Sequence, residues 1–239
     1  MKFALMQPYF FPYIGYFSLI QSVDHFMFFD DVQYTRKSWM CRNRLLNVEK
    51  QQPYYIRPKI RKPIYKALLT DVELDNSEIW KNHLLQQLNG YKKKAKFYEE
   101  TLQFLSGILE RDYIGLAHFN ISSTIEISRY LGIKPKFDKY TDYNFYFETK
   151  PGIGDWGREV AHEIEVTEYI NSPGGEDFIF PDEFNSLGIK LGFIQPHLTK
   201  YWQGNSGFIP GLSILDVLIF NGRERTAEMV SDYDIKWLN

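Results

Sequence analysis

The side chains best suited to chemistry are concentrated in residues 30–44. Two adjacent carboxylates, Asp30 and Asp31, follow an apolar run, and the side chains after them include Lys37, Trp39, Arg42, Asn43 and Arg44. Arginine and lysine pair with phosphate oxygens, a carboxylate can anchor Mg²⁺, and tryptophan stacks on a base or a sugar. The segment therefore predicts a polyphosphate site in which Asp30, Asp31, Lys37 and Arg42 are the catalytic candidates. A helix capped by Ser38 would place three side chains on one face, those of Trp39, Arg42 and Asn43. An exposed charged helix, whose acids and bases only pair with each other, is the alternative.

The chain before this segment predicts a strand, a loop, a helix and a second strand. Apolar runs at 2–6 and 25–29 flank an aromatic loop and an amphipathic stretch at 13–23. Strands joined by a crossover helix lie parallel, and ligands bind beyond their carboxyl ends. Gln7 would therefore meet the two aspartates at one rim of the sheet.

The aromatic loop and the start of the helix supply candidate binding residues. In this half of the chain the binding candidates are Gln7, Tyr9, Tyr13, Gly15, Tyr16, Trp39 and Asn43. A helix that starts after a strand points free N–H groups above the sheet, where a phosphate or carboxylate would bind. Gly15 either lets a ligand approach the backbone closely or only relieves packing.

Turn-rich segments in the second half of the chain predict further site residues. A short β run opens onto a turn that contains Asn171, Ser172 and Gly174. The backbone N–H groups of this turn could cradle an anion, or the turn could be an ordinary one. An apolar strand at 189–194 ends in Gln-Pro, as the first strand does, and brings His197 to the same rim as a candidate base. A polar loop at 200–206 adds Lys200, Tyr201 and Ser206.

Between these halves the sequence predicts a helical segment at 77–132. Three helices are expected there, at 77–89, 97–109 and 114–131, and none carries a paired carboxylate or a ligand spacing typical of a catalytic site. The segment would cover the sheet or form a lobe inserted into it. The chain before it has two short β-like runs, at 54–56 and 68–74, around a basic link at 57–66.

These patterns predict an α/β fold in a single domain, residues 1–239, with a mostly parallel sheet of Rossmann type. A closing helix completes the core. Ser213 would cap this helix, and Asp216 in its first turn would favour the helix dipole, so both residues have a sufficient structural role.

Composition argues against several classes of protein. With 28 basic and 30 acidic residues the formal charge is −2, which disfavours general nucleic-acid binding. The single cysteine, Cys41, excludes an intrachain disulfide, and without a close histidine pair no metal centre is expected. No apolar run is long enough to span a membrane, and no signal peptide precedes the first strand, so the cytoplasm is the expected location. The oligomeric state is open, and a homo-oligomer is compatible with the sequence.

Several motifs in combination resemble the WbqC-like protein family over essentially the whole chain. They are the run from Met6 to Phe17, Asp30-Asp31-Val32-Gln33-Tyr34, Lys37-Ser38-Trp39 with Arg42-Asn43-Arg44, the turn from Tyr169 to Gly175, and the run from Pro210 to Asp216. That family is associated with bacterial O-antigen (lipopolysaccharide) and other surface-glycan gene clusters. The resemblance implies glycyl or aminoacyl transfer to an amino sugar.

The run Tyr13-Ile14-Gly15-Tyr16 is similar, more faintly, to a second motif. It lies between strand and helix, where nucleotidyltransferases and pantothenate synthetase-like ligases carry His-x-Gly-His. There the histidines and the helix N-terminus stabilise a nucleotide triphosphate while its α-phosphorus is attacked. Both histidines are tyrosine here, and tyrosine offers no cation near neutral pH. The similarity implies a nucleotidyltransferase-like fold, with ATP and magnesium as candidate cofactors.

The function expected from this reading is a transferase or amide-forming ligase that attaches an acyl or glycyl group to the amine of a nucleotide-linked amino sugar. In an ATP-dependent route an acyl-adenylate would form, and the sugar amine would then displace AMP. The residues that would frame the nucleotide are Gln7, Tyr13, Gly15 and Tyr16. Lys37 and Arg42 would neutralise phosphate charge, and Asp30 or Asp31 would orient magnesium or the incoming amine.

Two alternative functions stay open. A thioester or charged-tRNA donor would need no ATP, and the basic stretches at 57–66 and 92–96 would then form its channel. A sugar-nucleotide binding protein without chemistry is the other alternative, because the five histidines are scattered and no nucleophile–base–acid pattern occurs.

Overall fold

A computed structural model describes residues 1–61, 65–205 and 207–238. Its strands are β1 Lys2–Met6, β2 His25–Phe28, β3 Asn43–Asn47, β4 Gln52–Ile56, β5 Lys136–Lys139, β6 Glu168–Asn171, β7 Lys190–Pro196 and β8 Tyr233–Trp237. Its helices are α1 Ile14–Gln21, α2 Glu78–Leu88, α3 Tyr98–Leu109, α4 Leu116–Tyr130, α5 Asp155–Glu163, α6 Pro181–Asn185 and α7 Ile214–Val230.

Six of these strands form one sheet in the order β5-β2-β1-β6-β7-β8, and β3 and β4 form a separate antiparallel hairpin. The first five strands of the sheet are parallel, and only β8 runs antiparallel to its neighbour. The predicted α/β fold with a mostly parallel sheet is confirmed. Counted along the chain, the sheet order is third, second, first, fourth, fifth, sixth, which is a doubly wound order. The direction of winding reverses between β1 and β6.

The strands bury both faces of the sheet because their apolar side chains alternate. Along β1, Phe3 and Leu5 lie in one core cluster and Ala4 lies in the other; along β2, Met27 and Phe26 separate in the same way. This alternation follows from the two-residue repeat of a strand. Helices α1 and α7 pack together beside β7, while α5 contacts β1 and β6, and α6 contacts β7.

The helical segment is part of one long connection. Strands β2 and β5 are parallel neighbours, with His25 opposite Lys136, yet the hairpin and helices α2 to α4 all lie between them in sequence. Apolar side chains of these helices, such as Leu84 and Phe119, belong to the same core cluster as those of α1 and α7. The segment is therefore an insertion into a strand-to-strand crossover and shares the main core. The three helices expected at 77–132 all form, with ends shifted by one or two residues.

Two local predictions are wrong. No helix follows Ser38; the chain makes turns there and then enters strand β3 at Asn43. The cause is long-range, because the Asn43 amide donates hydrogen bonds to the carbonyls of Phe10 (3.1 Å) and Phe11 (2.7 Å). The β-like run at 68–74 contains a short 3-10 helix, Leu69–Asp71, instead of a strand.

Candidate functional site

A two-part cleft opens above the carboxyl ends of β1 and β6, where the winding of the sheet reverses. The first part, here the small chamber, has a volume of about 370 Å³, and the second, the large chamber, about 910 Å³. The two chambers share four lining residues, Met6, Tyr9, Ser172 and Gly174. Ligands of doubly wound sheets bind in this crevice, so the fold itself marks the cleft as the candidate site.

Side-chain amides fix the aromatic loop that forms one wall of the cleft. Asn120, fully buried in α4, donates to the carbonyls of Pro8 (3.1 Å) and Met40 (2.8 Å). Asn43 donates to the carbonyls of Phe10 and Phe11 in the same loop, and the backbone N–H of Phe10 donates to the Trp39 carbonyl. These buried bonds hold the loop and the 30–44 segment together, because leaving such polar groups unpaired would be costly.

Four aromatic rings line the small chamber, those of Tyr9, Tyr13, Tyr16 and Trp39. The Tyr16 hydroxyl donates to the carbonyl of Gln7 at 2.8 Å, and the rings of Tyr9 and Tyr16 lie 5.4 Å apart. Burial raises the pKa of all three tyrosines, most strongly that of Tyr16. The phenols therefore remain neutral near pH 7 and act as hydrogen-bond donors, not as charges.

The cation of the small chamber is Arg44. Its guanidinium carbon lies 5.6 Å from the centre of the Trp39 ring, and one terminal nitrogen donates to the Gly211 carbonyl at 3.1 Å. The Nε atom is buried without a hydrogen-bond partner. Within the part of the chain that the structure describes, no carboxylate forms an ion pair with Arg44. An aromatic chamber with one uncompensated positive charge suits an anionic ligand that has a flat ring.

Two of the glycines that line the cleft, Gly15 and Gly174, differ in the space around them. A Cβ atom on Gly15 would lie 2.5 Å from the ring of Tyr13, so this glycine lets the tyrosine pack over the start of α1. A Cβ atom on Gly174 would meet nothing within 4 Å, so it would project into open space at the junction of the chambers.

The large chamber is more polar and carries one charge of each sign. Asp31 and Lys150 are its charged lining residues. Its polar side chains include Gln7, Gln33, Thr35, Ser38 and Asn171, and its aromatic ones include Tyr9, Phe29, Trp156 and Phe178. The rings of Phe29 and Trp156 are 5.0 Å apart. Rings next to hydroxyl-binding amides and a carboxylate are a wall suited to a sugar.

Asp30 and Asp31 have separate surroundings. Asp30 is buried and accepts hydrogen bonds from the backbone N–H (3.1 Å) and the hydroxyl (2.7 Å) of Thr141. Asp31 lines the large chamber. Because Thr141 occupies the Asp30 carboxylate, Asp31 is the carboxylate of this pair that is open to a ligand.

A model of the WbqC-like protein family matches residues 7–228. The chain belongs to the WbqC-like family. It is also 28% identical over 228 residues to the uncharacterised protein Rv1507c of Mycobacterium tuberculosis, a match that covers 93% of this chain and 95% of the relative. No solved structure matches the chain. Among the described residues of this WbqC-like protein, no helix is both long and apolar enough to cross a bilayer.

Several residues predicted for the site lie outside both chambers of the WbqC-like protein. Lys37 and Lys200 are exposed, and Lys37 occupies a turn with φ of 69°. Arg42 lies over the ring of Tyr55, with its guanidinium carbon 4.3 Å from the ring centre. Ser206 lies outside the described residues. The described part of the 200–206 loop therefore adds no wall to the cleft, and Gly211, nearer to α7, does.

His197 is held between two carboxylates, away from the cleft. Its Nδ1 lies 2.9 Å from Asp232 and its Nε2 lies 3.0 Å from Asp234. The hydrogen bond to Asp232, together with the charges of both carboxylates, raises the pKa of His197 above its usual 6.5. Both ring nitrogens are engaged and the charged form is favoured, so this imidazole is poorly placed to act as a base.

Tyr201 belongs to a buried polar cluster around Asp216. The Asp216 carboxylate accepts hydrogen bonds from Tyr91 (2.6 Å), Tyr201 (2.5 Å) and Gln203 (3.3 Å). Burial raises the pKa of Asp216 to about 6. The Tyr91 hydroxyl also accepts a bond from the backbone of Leu46 in β3, so the cluster ties the late loop and α7 to the hairpin.

The structure adds site residues that the sequence did not single out. Arg44 lies within the chemically dense segment but is not among its candidates, and Lys150 and Trp156 lie in a stretch for which the sequence predicts no site residue. A signal for the second pair exists in the sequence, because Lys150 begins a run with glycines at 152, 154 and 157 at the start of α5. No group of three or more side chains suited to hold a metal occurs in the described ranges.

Proposed function

We propose that this WbqC-like protein transfers an acyl or aminoacyl group, such as glycyl, to the amine of a nucleotide-linked amino sugar during assembly of a bacterial surface polysaccharide such as O-antigen. The glycan setting comes from the family resemblance. The observation that carries the proposal is the pairing of an aromatic chamber holding an unpaired arginine with a polar chamber holding one carboxylate.

The small chamber takes the nucleotide part of the substrate. Arg44 pairs with a phosphate oxygen, and Trp39 and the neutral tyrosines stack on the base or the ribose. A volume of about 370 Å³ is at the small end of the range for ligand pockets, so the sugar must extend beyond it.

The large chamber takes the amino sugar. Trp156 and Phe29 offer apolar ring faces, and Asn171 and Gln33 offer amides for hydroxyl groups. Asp31 is the carboxylate available to hold the amine, since Asp30 is engaged with Thr141. This division puts the sugar next to the wall that both chambers share.

The chemistry is attack of the amine nitrogen on an activated carbonyl carbon. A C–N bond forms, the bond from the carbonyl to its leaving group breaks, and Asp31 accepts the proton that the nitrogen loses. The Tyr9 phenol, neutral and present in both chambers, donates a hydrogen bond to the oxygen that gains negative charge.

ATP with magnesium fits the residues as a co-substrate that would activate the acyl group. Mg²⁺ at nucleotide sites is held by one or two carboxylates together with phosphate oxygens, so in this route Asp31 would bind the ion while the acyl group is activated and would hold the amine only afterwards. The ion would offset phosphate charge, and Lys150 could contact the same phosphates. The nucleotidyltransferase-like route remains a prediction.

A second candidate function is sugar-nucleotide binding without chemistry. One observation favours it: the described lining of the two chambers contains no histidine and no cysteine. Those are the residues most often used as a base or a nucleophile.

Mass spectrometry of the sugar nucleotide tests the proposal. The protein is incubated with UDP- or dTDP-linked amino sugars, glycine, ATP and Mg²⁺, and in parallel with acyl-CoA donors. The expected result is a mass gain of one acyl or glycyl group, slowed by about a hundredfold in Asp31→Asn because a proton acceptor is lost. Asp112→Asn, at an exposed aspartate that lines neither chamber, is the control. Binding of sugar nucleotides with no product from any donor would support the binding protein instead.

A further inference from the structure

One face of the β3–β4 hairpin carries three arginines. Arg44 lies directly opposite Tyr55, and Asn43 lies opposite Ile56. By continuation of this register, Arg42 lies opposite Arg57, one position beyond the paired residues. Opposite residues share a face and successive residues alternate, so Arg42, Arg44, Tyr55 and Arg57 lie on one side of the hairpin. We call this surface the arginine face.

The contacts agree with that placement. The guanidinium carbons of Arg42 and Arg57 lie 4.3 Å and 5.7 Å from the centre of the same Tyr55 ring. Arg44 reaches the small chamber beside Trp39. The arginine face therefore begins inside the cleft and continues outward along the hairpin.

These three positive charges have no counter-charge in the described chain. No aspartate or glutamate of the ranges 1–61, 65–205 and 207–238 forms an ion pair with any of them. The Nε atoms of Arg42 and Arg44 are also buried without a hydrogen-bond partner. Five other arginines form ion pairs, namely Arg61, Arg111, Arg129, Arg158 and Arg225; Arg61, for example, contacts Glu73 at 2.7 Å. Among the described residues Arg36 and Arg223 also have no ion pair, but they do not lie on the hairpin.

Such an arrangement is unfavourable by itself, because like charges opposite each other on a hairpin repel and unpaired buried N–H groups are costly. Ordinary solvated surfaces place acids among their bases. A bound anion would offset the repulsion between the positive charges, so the cluster is better suited to binding a ligand than to stabilising the fold.

We propose that the arginine face binds the diphosphate of a nucleoside diphosphate whose base or ribose lies in the small chamber. This inference rests on the proposed function in so far as the ligand is a sugar nucleotide. A terminal phosphate carries roughly two negative charges and a nucleoside diphosphate roughly three, so three guanidiniums are better matched by a diphosphate. In a sugar nucleotide the same linkage carries about two charges but still offers the oxygens of two phosphates to the three forks. The planar arginine fork bonds phosphate oxygens in pairs, and Tyr55 holds two of the forks by stacking.

Calorimetric titration tests the proposal. The full-length protein is titrated with UDP, dTDP and ADP, with each matching monophosphate, and with inorganic pyrophosphate. We expect at least one diphosphate to bind about tenfold or more tightly than its monophosphate, as bonds to charged groups allow. Arg42→Gln and Arg57→Gln should each remove that advantage. Arg61→Gln, an exposed arginine that is paired with Glu73, should retain it.

Equal affinity for di- and monophosphates, or an advantage that survives in Arg42→Gln and Arg57→Gln, would overturn the proposal. Binding of charged tRNA with no binding of any diphosphate would also overturn it. Arg57 is exposed, so its substitution should leave thermal unfolding unchanged and keep the test valid even if Arg42→Gln is unstable. The proposed function is judged separately. If sugar nucleotides still bind and react in the arginine variants, only the arginine-face proposal is refuted. If UDP binding depends on the arginines but no acylated product forms, only the transfer reaction is refuted.

Discussion

Asp30 and Thr141 are joined by two hydrogen bonds, one from the backbone N–H at 3.1 Å and one from the hydroxyl at 2.7 Å. Asp30 follows β2 and Thr141 follows β5, so the pair ties the ends of two neighbouring strands. The bonds occupy one of two adjacent carboxylates and leave Asp31 to face the cleft.

Alanine at position 30 should therefore lower mainly the stability of the protein, and alanine at position 31 should weaken mainly ligand binding. Asp30→Ala leaves the Thr141 donors unpaired and should lower the free energy of unfolding by about 1–3 kcal/mol. Asp31→Ala should change it by no more than about 0.5 kcal/mol while weakening binding of amino-sugar nucleotides. Urea denaturation and calorimetric titration of both variants measure the two effects. Loss of stability in Asp31→Ala, with ligand binding intact, would contradict the assignment.

Filling the junction of the chambers should block binding without harming the fold. In Gly174→Leu the new side chain would enter open space, since a Cβ atom there meets nothing within 4 Å. We expect affinity for sugar nucleotides to fall by about tenfold or more, with an unchanged melting temperature. Gly107→Leu, on the exposed side of α3 and equally free of contacts, is the matched control. Unaltered binding in Gly174→Leu would mean that the ligand does not cross this junction.

Asp216 should give the protein a pH-dependent stability. Burial raises the pKa of Asp216 to about 6, compared with 3.8 for an ordinary aspartate. A carboxyl whose pKa rises on folding contributes stability that is present below the unfolded pKa and is lost as the pH rises through the folded pKa. Wild type should thus lose on the order of 3 kcal/mol relative to Asp216→Asn between about pH 4 and pH 7. Denaturation curves across that range measure the difference, and a difference that does not vary with pH would refute this role.

His197 should titrate as a stabilised cation and not as a catalytic base. Its pKa is raised chiefly by the hydrogen bond to Asp232, so the stabilising contact is present below pH 6.5 and is lost as the pH rises through the higher folded value. NMR titration of the imidazole should give a pKa above 6.5 that returns toward 6.5 in Asp232→Asn. His197→Gln should leave ligand binding and any transfer rate unchanged. A large loss of turnover in that variant would restore the histidine as a base.

Local patterns in the sequence were sufficient to predict the β1–α1–β2 unit. The apolar runs and the helical periodicity between them depend only on neighbouring residues. They also place Gln7 and Asp31 at the same rim, where the large chamber lies. Pairing of β1 with β6 involves residues more than 160 positions apart, and sequence spacing does not encode it.

The missing helix after Ser38 has its physical origin in long-range contacts. The segment after Ser38 has helical composition, but the bonds of Asn43 to the distant carbonyls of Phe10 and Phe11 hold it extended. That change turns Arg42 outward to Tyr55 and leaves Arg44 in the small chamber. Strand geometry indicates that Asp30 and Asp31 point apart, but only the position of Thr141 decides which of them is buried.

The central claim is that the cleft between β1 and β6 binds a nucleotide-linked amino sugar, with Arg44 on the phosphate and Asp31 on the amine. The most direct measurement is calorimetric titration of wild type, Arg44→Gln and Asp31→Asn with UDP- and dTDP-linked amino sugars and with the matching sugars that carry a hydroxyl in place of the amine. We predict that wild type prefers the amino form by about tenfold, that Asp31→Asn loses this preference, and that Arg44→Gln binds both forms more weakly. Equal binding of both forms, unaffected by either substitution, or no binding of any of them, would contradict the account.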